Sequence, residues 1–360
     1  MKTYFTKAIH YTNHPKPPQL QFILAENCFN KNAALAAISN ALAKVGNVVY
    51  QLVEPYRNAY GPLTNSWIIG LDVTHSGKRK PSIACMALVS APFSGTSRFW
   101  RPSCVANKPG QEVLSGRMAD GLMRSLLEDI YQQDLVPQAK EQNKTTVNLL
   151  PACIVVIRDG LADDQIHEAI NEEILGIDSA IAKFTKSKKI SWKPKIVVLV
   201  SPKASQDDIC RAKPVGTNQY ELSSPGMPTK PVVVIPHGMR HRSLFDFFIL
   251  GNPKDSKAKP RRYVLVRDDI GVTKRMMNFN CLCNFILALM WGYCMSVPFS
   301  TGCSSQPSCV KVAKHYAELL SQIILSSDTN FARFSVNRKN RPQMAIKKPL
   351  PAVVSEQVNE

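Results

Sequence analysis

Two stretches, Trp67-Ile68-Ile69-Gly70-Leu71-Asp72-Val73 and Ile154-Val155-Val156-Ile157-Arg158-Asp159-Gly160, are short apolar runs that each carry an aspartate close to their end. Runs of this length, rich in β-branched residues and bounded by turn signals, read as strands buried on both faces. A carboxylate on a central strand is costly unless something cationic meets it, so two of them suggest a divalent-metal site. Hard oxygen ligands suit Mg²⁺ or Mn²⁺. Two such ions ~3.5–4 Å apart can activate a water and stabilise the leaving oxygen of a phosphodiester. The plain alternative is that each aspartate caps the loop or helix that follows it.

Working outward, Ser82–Val89 and Ser97–Pro102 follow the turn residues Ser76-Gly77 and Ser94-Gly95 and predict two more strands. With Trp67–Val73 they make three strands in succession, an antiparallel meander. A helix from about Val113 to Gln132 leads to the strand Ala152–Ile157, and a second helix, Asp163–Lys183, leads to Ile196–Val200. Strand-helix-strand units pair in parallel with right-handed crossovers. The expected fold is therefore α/β, a ribonuclease-H-like mixed sheet with helices on both faces. Strands at Val232–Ile235, Phe247–Leu250 and Tyr263–Val266 and helices at Lys274–Cys294 and Cys309–Leu325 complete it.

Upstream, Gln21–Ala25 and Val48–Val53 read as strands and Asn32–Val45 as a helix, with the Pro/Gly-rich connector Pro55–Pro62 as the boundary. The division is a partial α/β segment over residues 1–55, the main domain over 62–326 and a flexible basic tail over 327–360.

Composition narrows the function. The 360 residues, 44% hydrophobic and 20% charged, suffice for a full core. With 45 Lys and Arg against 27 Asp and Glu, the net charge of +18 predicts a polyanionic partner, nucleic acid before an anionic membrane. No signal-peptide pattern opens the chain, which predicts an intracellular protein. The longest apolar run, Phe285–Met295, falls well short of the ~20 residues that span a bilayer. The ten cysteines lack regular spacing and read as reduced, buried thiols.

Five motifs carry a family resemblance. Gly70-Leu71-Asp72-Val73-Thr74-His75 resembles the G-A-D-V-T-H strand of Argonaute and PIWI domains, and Arg158-Asp159-Gly160-Leu161-Ala162-Asp163-Asp164-Gln165 resembles their R-D-G-V-S-x-x-Q segment. Gln111-Glu112-Val113 is similar to the segment that supplies the family's mobile catalytic glutamate. Phe245-Asp246-Phe247-Phe248 and Tyr263-Val264-Leu265-Val266-Arg267-Asp268-Asp269 are similar to its F-D-F-Y and Y-x-V-L-x-D-D strands. A DNA-acting integrase or transposase would share the paired carboxylates but not the R-D-G and F-D-F segments.

The resemblance implies that Asp72, Glu112 and Asp159 match three members of the family's metal-binding tetrad, with Mg²⁺ or Mn²⁺ as the cofactor. At the fourth position, where active relatives carry His or Asp, this chain has Lys314. A protonated lysine has no lone pair for a metal. His315 is the other candidate, one residue on and so about 100° around the helix. The stretch before Pro55 is similar to the end of a MID domain, which implies a guide-phosphate role for Lys44 and suggests a fragment or a shortened gene product. The implied function is small-RNA-guided gene silencing by a protein that holds a guide–target duplex, with weak or absent slicing. The alternative is an active Mg²⁺-dependent RNA-guided endoribonuclease. Expected partners are a small guide RNA, its complementary target RNA and silencing proteins, for a cytoplasmic monomer, also nuclear, that has no membrane contact.

Two basic clusters could track a phosphate backbone. The first, Lys183, Lys186, Lys188, Lys189, Lys193 and Lys195 around Trp192, is better read as a solvated loop. The second comprises Arg240, Arg242, Lys254, Lys257, Lys259, Arg261 and Arg262. His75 is expected to order its strand end by hydrogen bonding.

Overall fold

The computed structural model describes residues 59–75, 77, 80–89, 100–203, 211–216, 219–223, 232–235, 244–251, 260–291 and 306–326. The 1–55 segment with Lys44, the tail, and Arg240, Arg242, Lys254, Lys257 and Lys259 of the second basic cluster lie outside them.

The meander is formed by β1 (Ser66–Thr74), β2 (Ser82–Val89) and β3 (Trp100–Asn107). Helix α1 (Gly116–Ile130), a π turn and α2 (Val136–Glu141) lead to β4 (Cys153–Leu161). After β4 come a short α3 (Ile166–Ala169), a second π turn (Ile170–Ile174) and α4 (Leu175–Lys188), which leads to β5 (Lys195–Pro202). A separate hairpin, β6 (Arg211–Gly216) and β7 (Gln219–Ser223), precedes β8 (Val232–Val234), β9 (Phe245–Leu250) and β10 (Arg261–Asp268). Helices α5 (Met276–Trp291) and α6 (Ser308–Ser326) follow. The main sheet runs β3-β2-β1-β4-β5-β10-β9-β8, with β1 and β5 parallel to β4 and the other pairs antiparallel. This is the mixed sheet expected from the meander and the two crossovers.

Alternation along each strand divides the core into two layers. Ile68, Ile83, Cys85, Val155 and Ile157 face Phe279, Phe285 and Ile286 of α5 and Val310, Ala313 and Ala317 of α6. Ile69, Leu71, Met86, Ile154 and Val156 face Leu122, Leu126 and Ile130 of α1 and Ile177, Ile181 and Phe184 of α4. Gly70 and Asp72 share the even-numbered face with Ile68, so they lie on the side of α6. The helix comes so close that a Cβ on Gly70 would sit 2.3 Å from the backbone C and O of Cys309. Gly70→Ala is therefore expected to push α6 off β1 and cost about 1–3 kcal/mol, measured by chemical denaturation; an unchanged midpoint would contradict this contact.

Several boundaries differ from the sequence expectations. The third strand, expected over Ser97–Pro102, is described over Trp100–Asn107, residues 97–99 lying outside the described residues; it runs on past its proline, which is tolerated because β3 is a sheet edge. Helix α1 begins at Gly116, and Val113 and Leu114 are buried in the approach to it. The expected helix Asp163–Lys183 is interrupted by its π turn, which sets consecutive glutamates against α1. Glu172 accepts from Gly116 N (2.7 Å) and Glu173 from Leu114 N (2.9 Å), satisfying donors at a helix start and complementing its dipole. Among the described residues no helix is long and apolar enough to cross a membrane.

Candidate functional site

The three carboxylates of the sequence reading come together near the ends of β1 and β4. Asp72, Glu112 and Asp159 are 6%, 5% and 5% exposed. Leu71 pairs with Arg158 in the parallel β1–β4 register, so Asp72 and Asp159 follow on adjacent strands. Glu112 enters from the turn after β3. A β-bulge after Asp159 is made by Gly160, whose φ of +87° is a left-handed conformation that glycine adopts without strain. A Cβ there would lie 3.3 Å from Glu112 Oε1 and 4.0 Å from Asp72 Oδ1, so the bulge lets backbone and carboxylates crowd together.

Each carboxylate meets cations of the chain itself. Arg158, on the α1 and α4 side of β4, donates from Nε to Glu173 Oε2 (3.0 Å), from one terminal nitrogen to Glu112 Oε1 (3.4 Å) and from the other to the Glu112 carbonyl (2.7 Å). Burial opposes the Arg158 charge, but Glu173, then Glu112 and Asp72, push its guanidinium above its usual pKa. His75 donates to Glu112 Oε2 (2.7 Å), and its other ring nitrogen is 2.7 Å from Ser82 Oγ, which accepts from Gly110 N (3.1 Å). The role expected of His75, ordering the strand end, is the one this geometry shows. Lys203 lies 3.8 Å from Glu112 Oε2. Asp159 accepts from Arg261 at Oδ1 and from Gln306 at Oδ2.

Asp72 has no hydrogen bond or ion pair to its carboxylate among the described residues. Burial and then the Asp159 charge push its pKa up to about 6, against the charges of Arg158 and Lys314. Lys314 is exposed on α6, within electrostatic reach of Asp72. His315, half-buried, sets its ring edge-on to Tyr316 at 6.0 Å.

A divalent ion needs carboxylate oxygens turned to a common point. Here both oxygens of Asp159 and both of Glu112 face cationic or amide donors, and among the described residues no three His, Cys, Asp or Glu side chains are arranged to hold a metal. The side chains as placed do not fit Mg²⁺ or Mn²⁺.

A family model described as Piwi domain matches residues 4–325. The chain belongs to the Piwi-domain family. Among its relatives, Protein argonaute 4B of Oryza sativa is 28% identical over 218 residues, covering 58% of this chain and 21% of that protein. Piwi-like protein 1 of Danio rerio is 29% identical over 216 residues, 59% of this chain and 21% of the relative. The chain thus spans about a fifth of the length of these relatives. Among solved structures, Kluyveromyces polysporus Argonaute with a guide RNA has a TM-score of 0.60 at 19% identity, covering 81% of this chain and 32% of that one. Drosophila Piwi gives 0.50 at 15% identity, over 82% and 34%. These likenesses show the ribonuclease-H-like fold.

In this Piwi domain, Gln306, Lys203 and Glu173 were not legible as site residues, and Arg261 was legible only as a member of a basic cluster and not as a partner of Asp159. Arg261 and Gln306 reach Asp159 across 102 and 147 residues of sequence, and no local pattern signals such a contact. The basic clusters also read differently. Arg262 is buried, bonding Asp246 (3.1 Å) and Asp163 (2.8 Å), and Arg261 serves Asp159, so neither is a free groove cation. Trp192 is buried with its indole N–H on the Pro151 carbonyl (2.8 Å), Lys183 pairs with Asp120 (2.8 Å) and Lys188 with Glu128 (2.5 Å), consistent with a surface role for that cluster.

The raised pKa of Asp72 sets a pH dependence. Its protonated form is favoured by folding, so its contribution is present below pH ~4, the unfolded value, and is lost as pH rises through about 6. Asp72→Asn is expected to flatten the stability profile between those limits and to add up to about 3 kcal/mol at pH 7. Urea midpoints at pH 4, 6 and 7 check this; a parallel profile in the variant would refute the assignment.

Proposed function

We propose that this Piwi domain binds RNA in small-RNA-guided silencing, holding a guide paired to its target, with slicing weak or absent. The observation that carries the non-slicing part is the engagement of Asp159 by Arg261 and Gln306, with the charge of Lys314 acting on Asp72. Mg²⁺ or Mn²⁺ could be taken up by Asp72, Glu112 and Asp159 only if those pairs opened. The RNA-binding part is supported by family membership, by the +18 charge and by the fold shared with an Argonaute whose structure holds a guide RNA. Sequence selection then lies in base pairing, because A-form duplexes present shape and 2′-hydroxyls more than readable base edges. Gathering of three carboxylates around Gly160 favours a second reading, a metal-dependent endoribonuclease.

One assay separates them. The protein is expected to bind a guide–target duplex with an affinity that falls steeply with salt and ignores sequence at constant pairing, and to leave a perfectly paired target uncut in Mn²⁺. Robust cleavage that Asp72→Ala abolishes would establish the second reading. Affinity that stays flat with salt would count against the electrostatic groove, and sequencing of copurified RNA tests guide loading directly.

A further inference from the structure

Lys311 and Lys314 stand one turn apart on α6 and so share one face of it. The first turn of α6 is pressed onto β1 at Gly70, two residues before Asp72 on the same side of the sheet. Gln306, just before the helix, is tied to Asp159. The packing thereby carries both lysines to the carboxylate cluster, where the charge of Lys311 acts on Asp159 and that of Lys314 on Asp72. Neither ammonium group forms an ion pair among the described residues.

The carboxylates they approach are otherwise engaged, Asp159 by Arg261 and Gln306, Glu112 by Arg158, His75 and Lys203. Around the cluster stand the cations Arg158, Lys203, Arg261, Lys311 and Lys314 and the acids Asp72, Glu112, Asp159 and Glu173. Glu318, farther along α6, also acts on Lys311, so that these five cations meet five acids. Burial, then repulsion from Lys314 and from Arg261, hold the Lys311 ammonium below its usual pKa despite Asp159 and Glu318. An incoming anion would relieve that repulsion, and Lys314 is exposed to meet one.

We propose that Lys311 and Lys314 form a phosphate-binding site that holds a backbone phosphodiester of the nucleic-acid strand crossing the carboxylate cluster, the chain's own ammonium groups standing where divalent ions would otherwise neutralise charge. The site rests on the RNA-binding reading above and adds to it a position and a metal-independent mode of contact. Lysine suits this task as a compact point charge.

The test uses the full chain, a guide–target RNA duplex and buffer containing EDTA. Wild-type affinity is expected to match that in Mg²⁺ within about twofold. Each lost lysine–phosphate contact lowers the log–log salt slope by about 1, so Lys311→Gln/Lys314→Gln should lower it by about 2, while Lys311→Arg/Lys314→Arg retains it. Thermal melting confirms that both variants fold. Neutral methylphosphonates placed singly along the target should weaken wild-type binding at one or two adjacent positions, and the Gln variant should be insensitive there. A wild-type slope in the Gln variant, or binding that requires Mg²⁺, overturns the phosphate site and leaves the RNA-binding reading intact. Absence of duplex binding at every salt concentration overturns both.

Discussion

Arg158→Leu is expected to cost about 3–5 kcal/mol of stability, the range found when one partner of a buried ion pair is removed. Arg158 is 2% exposed, and its guanidinium is the shared partner of Glu173 and Glu112. Its loss takes the cation from Glu173, 3% exposed, and one of three cationic partners from Glu112, 5% exposed, and it also removes the donor to the Glu112 carbonyl. The cause is tested by Glu173→Gln, which keeps an acceptor for Leu114 N and removes the charge. The double variant Arg158→Leu/Glu173→Gln should be more stable than additivity allows by 1 kcal/mol or more, on the order of coupling between contacting groups. Additive losses in guanidinium titrations would mean that the pair is not energetically coupled. If Arg158→Leu fails to fold, Arg158→Lys serves, since it retains the charge and loses the fork that reaches both glutamates.

Lys314→His alone is expected to leave Mn²⁺ binding undetectable and a paired target uncut. The substitution restores a metal-ligating side chain at the fourth position, but Arg261 and Lys311 remain among the carboxylates. A unit cation held ~6 Å from a divalent ion opposes its binding by about 5 kcal/mol at an effective dielectric of 20, close to four powers of ten in Kd. Removing one such charge of several is insufficient. Lys314→His combined with Lys311→Ala and Arg261→Ala should bind Mn²⁺ measurably by calorimetry, and Asp72→Ala in that background should abolish the binding. Strong Mn²⁺ binding by wild type, or by Lys314→His alone, would show that the ion pairs seen around Asp159 give way readily to a metal.

Much of the fold was legible because its signals are local. The apolar runs around Asp72 and Asp159 specify buried strands, and β2 was bounded correctly at Ser82–Val89 because turn residues flank it. The order of three strands followed by two strand-helix-strand units leaves few topologies once crossovers must be right-handed. Boundaries failed where tertiary context overrides local pattern. Pro102 sits inside β3 because that strand is an edge, and the π turn at Ile170–Ile174 interrupts a helix whose glutamates are needed at the start of α1.

The candidate site divides the same way. The sequence by itself marked Asp72 and Asp159 as candidates, since a carboxylate on a buried strand is anomalous wherever the strand ends up, with Glu112 implied by the family resemblance, and it determined the +18 charge that favours a polyanionic partner. It could not determine the state of those carboxylates. That depends on which cations arrive from β10, from the start of α6 and from the end of β5, all distant in the chain and brought close only by the sheet order and by the seating of α6 on Gly70. Electrostatic energy depends on separation in space, and separation in space is set by packing. The tertiary structure therefore decided that the acidic cluster is matched by the chain's own cations.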